Sequence, residues 1–191
     1  IPGLDVVRPG DANEVSYAWL EILKRRGGPA GIALTRQNIP VFERGEGEAS
    51  GDVLASAKNV AKGAYVLADA ANGSPDVIII ATGSEVQLAL AAREELKADG
   101  VHARVVSAPS LEWFQEQSAE YRESVLPKNV TARVSVEAGL ALTWNSYIGD
   151  QGRAVSIEHY GASADYQTLF TKFGITTEAV VAAAKESIAS A

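Results

Sequence analysis

The sequence predicts an α/β layered fold with a mainly parallel sheet and flanking helices. Three observations carry this. Short β-branched runs recur, Val77 to Ala81 most clearly. Segments with helical apolar spacing lie between them, and Gly-containing turns separate the two. Gly31 to Thr35 is a short apolar run, as expected of a parallel strand buried in a sheet.

Elements follow in order along the chain. Asp11 and Glu14 have capping-box spacing, with Asp in the place of Ser or Thr. Val15, Ala18, Trp19, Ile22 and Leu23 then share one helical face, and Gly27-Gly28-Pro29 ends the helix. Gly31 to Thr35 reads as a buried parallel strand. One helix and one strand cannot close a domain, so residues 1–40 read as the tail of a sheet whose other strands lie elsewhere. Ile39 to Lys62 shows no clear period, apart from a brief helix expected over Val53 to Val60, and reads as a linker between two domains. Beyond it, Ala64 to Ala68, Val77 to Ala81, Ala103 to Ser107, Ala132 to Val136 and Ala154 to Ile157 are expected strands. Ser84 is the expected N-cap of a helix running to about Asp99, and Ser110 opens a short helical stretch. Val180, Val181, Ala184 and Ile188 form the stripe of a terminal helix.

Composition narrows the function. The 191 residues are 47% hydrophobic and 21% charged, which supports a substantial core. A net charge of −7 argues against a nucleic-acid or anionic-membrane surface, both of which need clustered Lys and Arg. There is no cysteine and there are two histidines, so thiolate chemistry and a His-rich metal site are not expected. The longest apolar run is too short to cross a bilayer, and no signal peptide is expected. These features are compatible with a cytoplasmic location. A start at Ile1-Pro2, without Met, reads as a piece of a longer protein.

Four places could carry chemistry. Thr35-Arg36-Gln37-Asn38 directly follows an expected strand, where ligands gather in open α/β sheets. Arg36 could bind phosphate or carboxylate through its planar fork, or pair with a neighbouring carboxylate. Thr82-Gly83-Ser84 could seat an anion at a helix N-terminus, but Glu85 puts a negative charge in that first turn, which favours ordinary capping. Glu137, just after a strand, could be a general acid or base, or anchor a loop through a salt bridge. His159 has no partner in the sequence that would make it catalytic. Trp113, Phe114, Trp144 and Tyr147 read as core or interface aromatics. No complete catalytic set is present.

At Leu34-Thr35-Arg36-Gln37-Asn38 the chain resembles the transketolases. The approach Leu4-Asp5-Val6-Val7-Arg8-Pro9 and Gly28-Pro29 fit that family. Lys62-Gly63-Ala64-Tyr65-Val66-Leu67 is similar to its Arg-Gly-Gly-Tyr-Val-Leu stretch, with Ala64 replacing a usual Gly. Ile80-Ala81-Thr82-Gly83-Ser84-Glu85-Val86, Tyr121 to Pro127, Thr131 to Gly139, Tyr160 to Ala164 and Leu169 to Gly174 follow in order. Asp165 stands where Pro is common. The resemblance covers nearly the whole chain and has an actinobacterial character.

The resemblance implies a thiamine diphosphate- and Mg2+-dependent transferase. It would move a two-carbon ketol unit between sugar phosphates in the pentose phosphate pathway, as a cytoplasmic homodimer. Residues 1–40 would end the pyrimidine-binding middle domain, 41–62 would be a linker, and 63–191 the C-terminal domain. Arg36 matches the family arginine that binds the substrate phosphate. The residues holding thiamine diphosphate and the metal would lie outside this chain, so no cofactor is expected here and the fragment alone should be inactive. Its expected partners are the rest of the subunit, a second subunit and a sugar phosphate, with no nucleic acid or membrane. Two alternatives stand beside this: a non-catalytic, dimer-supporting module, and an independent nucleotide-binding domain built on Thr82-Gly83-Ser84.

Overall fold

The computed structural model describes residues 1–191. It contains two sheets. The first is a parallel pair, β1 (Asp5–Val7) and β2 (Ala30–Ile32), joined by α1 (Ala12–Lys24). The strand β1 was not anticipated from the sequence. It is three residues long and only Val7 is fully buried, too little for a periodic signal. The expected strand over Gly31 to Thr35 is shorter and earlier, ending at Ile32, so Thr35 and Arg36 lie in a loop.

The second sheet has five strands in the order β3-β5-β4-β6-β7. These are β3 (Tyr65–Ala68), β4 (Val77–Ala81), β5 (Ala103–Ser107), β6 (Arg133–Val136) and β7 (Arg153–Val155). All neighbours are parallel except β3, which pairs antiparallel with β5 at one edge. Helices cover both faces: α2 (Val86–Ala98) and α7 (Thr177–Ser190) on one, α3 (Leu111–Gln115), α4 (Ala119–Val125) and α5 (Asn145–Ile148) on the other. The central strand shows why both must be covered. Val77, Ile79 and Ala81 join the core under α2 and α7, while Ile78 and Ile80 pack with Phe114, Val125 and Trp144. A short helix, α6 (Tyr166–Phe173), lies outside these layers with no residue buried.

Two local expectations are corrected. Ser84 does not cap α2 with its side chain. Gly83–Glu85 form a turn of 3-10 helix running into α2, and the Ser84 hydroxyl donates to the Glu85 carboxylate instead. The brief helix expected over Val53 to Val60 is a 3-10 helix at Ala57–Lys62. Asp11 does cap α1, accepting from the Glu14 amide at 2.8 Å. Glu14, however, does not return its carboxylate to the cap residue. It accepts from the amide of Gly10 at 2.7 Å and turns its other oxygen toward the second sheet.

The face predicted for α1 is only partly used. Ala18 is fully buried, but Trp19 is 46% exposed and Leu23 71% exposed. A two-stranded sheet offers little surface to cover such a face.

Candidate functional site where two sheets meet

The strand order reverses about β4. Its next strand, β5, lies on one side and β6 on the other. In open α/β sheets this arrangement leaves a ligand-binding crevice at the carboxyl ends of the two diverging strands. Here that crevice is only partly filled from within, and a cleft of about 260 Å³ lined by Arg8, Thr82, Ala108, Pro109, Glu137 and Trp144 remains. Arg8, which directly follows β1, reaches across from the first sheet. Its guanidinium donates to Glu137 after β6 and to Glu85 after β4, the latter at 3.2 Å.

The surrounding groups complete the plug. Glu85 is fully buried and accepts from the Ala138 amide at 3.1 Å. Trp144 donates its indole N–H to Glu137 at 2.6 Å. Gly83 has φ +60°, and a side-chain carbon there would stand 3.2 Å from the Arg8 guanidinium. The turn thus needs glycine for its backbone and for room. Burial pushes the Glu85 carboxyl above its ordinary value, opposed by the Ser84 hydroxyl and the Arg8 charge. The helix end that could have held an anion is occupied by the protein's own carboxylate. Neither Thr82 nor Ser84 caps the helix with its side chain, and Glu85 takes the place of an anion at this turn, while Glu137 serves as a loop anchor.

Arg36 sits beside this plug. The loop that follows β2 meets Arg8, the Gly83–Glu85 turn, Ala138 and Phe170 of α6 around a cleft of about 280 Å³. Arg36 is exposed. It makes no hydrogen bond or ion pair, so the alternative of a neighbouring carboxylate partner is not realised. Arg36 leaves its five donors free for a planar anion.

His159 is placed apart from Arg36's cleft. It is exposed, stacks edge-on against Phe173 with ring centroids 4.6 Å apart, and its Nδ1 lies 2.7 Å from the Tyr160 carbonyl. It has no carboxylate partner. Trp113, Phe114 and Trp144 are buried, and Trp113 also donates to Asp5 at 2.7 Å, tying α3 to the first sheet.

A second junction escaped the sequence reading. Glu14, Asp11, Arg44, Tyr65 and Ser107 form a buried polar knot between α1, the segment before β3, and the edge of the second sheet. Glu14 accepts from the Tyr65 hydroxyl at 2.5 Å and the Ser107 hydroxyl at 2.7 Å. Arg44 lies 3.1 Å from Asp11 and 3.3 Å from Glu14, and donates to Tyr65 at 2.7 Å. Burial opposes the Arg44 charge, but Tyr65, Glu14 and Asp11 outweigh it and raise its pKa. Burial and Glu14 together push the Tyr65 phenol well above its ordinary value, which keeps it a donor. Only the Asp11–Glu14 spacing was visible in the sequence; Arg44 gave no local signal.

The residues of this chain do not fit a diphosphate-bound metal centre. No three His, Asp or Glu side chains gather to hold a cation, and the one strand–turn–helix suited to an anion is plugged by Arg8 and Glu85. No helix is long and apolar enough to cross a membrane.

The family described as Transketolase-like TK C-terminal domain matches residues 63–176. A transketolase from Mycobacterium leprae is 54% identical over 191 residues, covering 97% of this chain and 26% of its own length. Transketolase 1 from Escherichia coli is 49% identical over 97% of this chain and 26% of its own. Among solved structures, a transketolase from Leishmania mexicana superimposes with a TM-score of 0.85 at 37% identity, over 98% of this chain and 26% of that one. A Pichia stipitis transketolase in complex with sedoheptulose 7-phosphate gives a TM-score of 0.85 at 36% identity, over 98% and 25%. The Mycobacterium relatives agree with the actinobacterial character of the sequence. The chain spans about a quarter of the length of the relatives it matches.

Proposed function

The chain belongs to the transketolase family and carries its C-terminal domain; from that premise we propose that it works as part of a transferase moving a two-carbon ketol unit between sugar phosphates, in which Arg36 binds the substrate phosphate. One observation carries the role of Arg36. It is an exposed arginine without an ion pair, in the loop that follows the parallel strand β2, in a cleft where two sheets meet. The Pichia stipitis relative solved with sedoheptulose 7-phosphate supports a phosphorylated sugar as the ligand.

Residues 1–40 are read as the end of the pyrimidine-binding domain, 41–62 as a linker and 63–191 as the C-terminal domain. The uncovered Trp19, Leu20 and Leu23 of α1 support a larger sheet around β1 and β2, supplied by the rest of the subunit. Thiamine diphosphate and Mg2+ would be held by that remainder and supply the nucleophilic carbon chemistry. The working enzyme is a homodimer of the cytoplasmic pentose phosphate pathway. Taken alone, these 191 residues are inactive, and their share of the work is substrate binding and assembly.

The test joins this chain to the N-terminal three quarters of the Mycobacterium leprae transketolase, whose own C-terminal part is 54% identical to it. The joined enzyme should transfer ketol units with thiamine diphosphate and Mg2+ present, and the 191 residues alone should not. A well-folded but inactive chimera, or activity in the isolated chain, would overturn the reading.

A further inference from the structure

The loop that presents Arg36 is held only at its two ends. From Leu34 to Val41 no residue donates or accepts a hydrogen bond. Leu34 is 56% exposed and Val41 59% exposed, and between them Thr35, Gln37 and Ile39 are half-buried, so no residue of the loop is fully packed. At the first end, the Ala33 amide donates to the Val7 carbonyl at 2.9 Å, continuing the pairing of β1 and β2.

The second end is fixed by side chains. The Phe42 amide donates to Asp11 Oδ2 at 3.2 Å, and Asn13 Nδ2 donates to the Phe42 carbonyl at 3.0 Å. Two residues on, Arg44 donates through Nε to the same Asp11 oxygen at 3.2 Å and pairs with Glu14. Asp11 therefore holds both the loop end and the cation behind it. It is also the N-cap of α1, so its position is set by the helix. A buried fork of this kind has one geometry, because each carboxylate oxygen and each guanidinium nitrogen has a fixed direction.

We propose that Asp11, Asn13 and Arg44 form a latch that positions Arg36, fixing the far end of its loop so that the guanidinium is presented to the phosphate in one place. These are positioning residues. None lines the cleft of Arg36, which is formed by residues 33–37, the groups around Arg8 and Phe170 of α6. The latch rests on the phosphate reading for its kinetic consequence, but not for its effect on the loop.

The first arm uses the 191-residue chain. Trypsin cuts after Arg36 only as fast as the loop can adapt to the protease. Asn13→Ala removes one donor to Phe42 and leaves the buried charges in place, so it tests the latch even where a bolder variant fails to fold. Asp11→Asn keeps a good N-cap but weakens the pairing with Arg44. Both should speed cleavage at Arg36 by roughly 5- to 30-fold, with Lys and Arg sites outside residues 34–44 unchanged. An unchanged rate at Arg36 overturns the latch.

The second arm uses the chimera. Asp11→Asn should raise KM for phosphorylated substrates while leaving kcat and the use of unphosphorylated substrates unchanged. In an Arg36→Ala background it should add nothing further, because it acts through that residue. Equal losses in both backgrounds would make the role merely structural and overturn the positioning claim. Should Arg36→Ala itself fail to separate phosphorylated from unphosphorylated substrates, the phosphate reading falls, while faster cleavage at Arg36 still establishes the latch on the loop.

Discussion

Arg8 and Glu85 stand 3.2 Å apart although they are separated by 77 residues, and their contact ties the first sheet to the carboxyl end of β4, inside the crevice that a doubly wound sheet offers to a ligand. Glu137 takes the same guanidinium from the other side. Two carboxylates meet at this point, and Arg8 is the charge that makes their proximity tolerable. Replacing Arg8 with Met should destabilise the chain by about 2 kcal/mol. The usual loss for breaking a buried pair is larger, and is discounted here because the Arg8 side chain is 26% exposed. Urea unfolding of the 191 residues checks this. An unchanged midpoint would remove the plug from the list of forces joining the two sheets.

The pH dependence of stability has a definite sign at Glu85. Burial lifts its folded pKa above the ordinary 4.5. The folded chain then binds this proton more tightly than the unfolded chain, so the group's contribution falls as pH rises from the ordinary value through the raised one. Glu85→Gln removes that slope. Relative to the variant, the unchanged protein should lose stability as pH rises above the ordinary 4.5, read from urea midpoints across the range. A relative stability that grows with pH would contradict the assignment.

Tyr65 supplies one of the donors that satisfy the buried carboxylate of Glu14, at 2.5 Å. Tyr65→Phe keeps the ring and removes only that hydroxyl. A hydrogen bond to a charged group contributes about 1.5–3 kcal/mol, and the variant should lose a comparable amount. Thermal or urea unfolding measures it, and a loss below about 0.5 kcal/mol would mean that Arg44 and Ser107 satisfy Glu14 without it.

Gly63 allows no substitution. Its φ is +81°, and a side-chain carbon would lie 2.2 Å from the Phe114 amide nitrogen and 2.4 Å from the Ser110 carbonyl oxygen. Both are backbone atoms, one in α3 and one in its N-cap residue, and cannot step aside. Gly63→Ala should cost at least about 3 kcal/mol, combining left-handed strain with the clash. An alanine variant of ordinary stability would show that α3 can shift. The neighbouring Ala64 is buried in one cluster with Ile78 and Phe114, so its methyl is accommodated in the core.

The buried strands were legible because their signal is local. Val77–Ala81 and Ala103–Ser107 are apolar enough, or β-branched enough, to announce themselves, and every residue of both is buried. Arg36 was legible as a candidate for the phosphate role proposed above, through its place after an expected strand and through family resemblance. Arg8 and Arg44 were not. Each is one arginine in a loop, and its partners lie far along the chain: 129 residues away for Glu137, and 33 and 30 for Asp11 and Glu14. Glu14 was seen as a capping residue because its spacing to Asp11 is correct, but the carboxylate turns outward to a strand that only tertiary packing brings near. The strand β1 was missed for a different reason: a three-residue strand with one buried side chain carries no period.

The most direct measurement is the effect of Arg36→Ala on ketol transfer in the enzyme formed by joining this chain to the N-terminal part of its Mycobacterium relative. A charged hydrogen-bonding contact to phosphate contributes about 1.5–3 kcal/mol, so kcat/KM for phosphorylated substrates should fall by roughly 10- to 150-fold. Unphosphorylated substrates should be affected far less. Equal losses for both, or no loss for either, would contradict the assignment of Arg36 to the substrate phosphate.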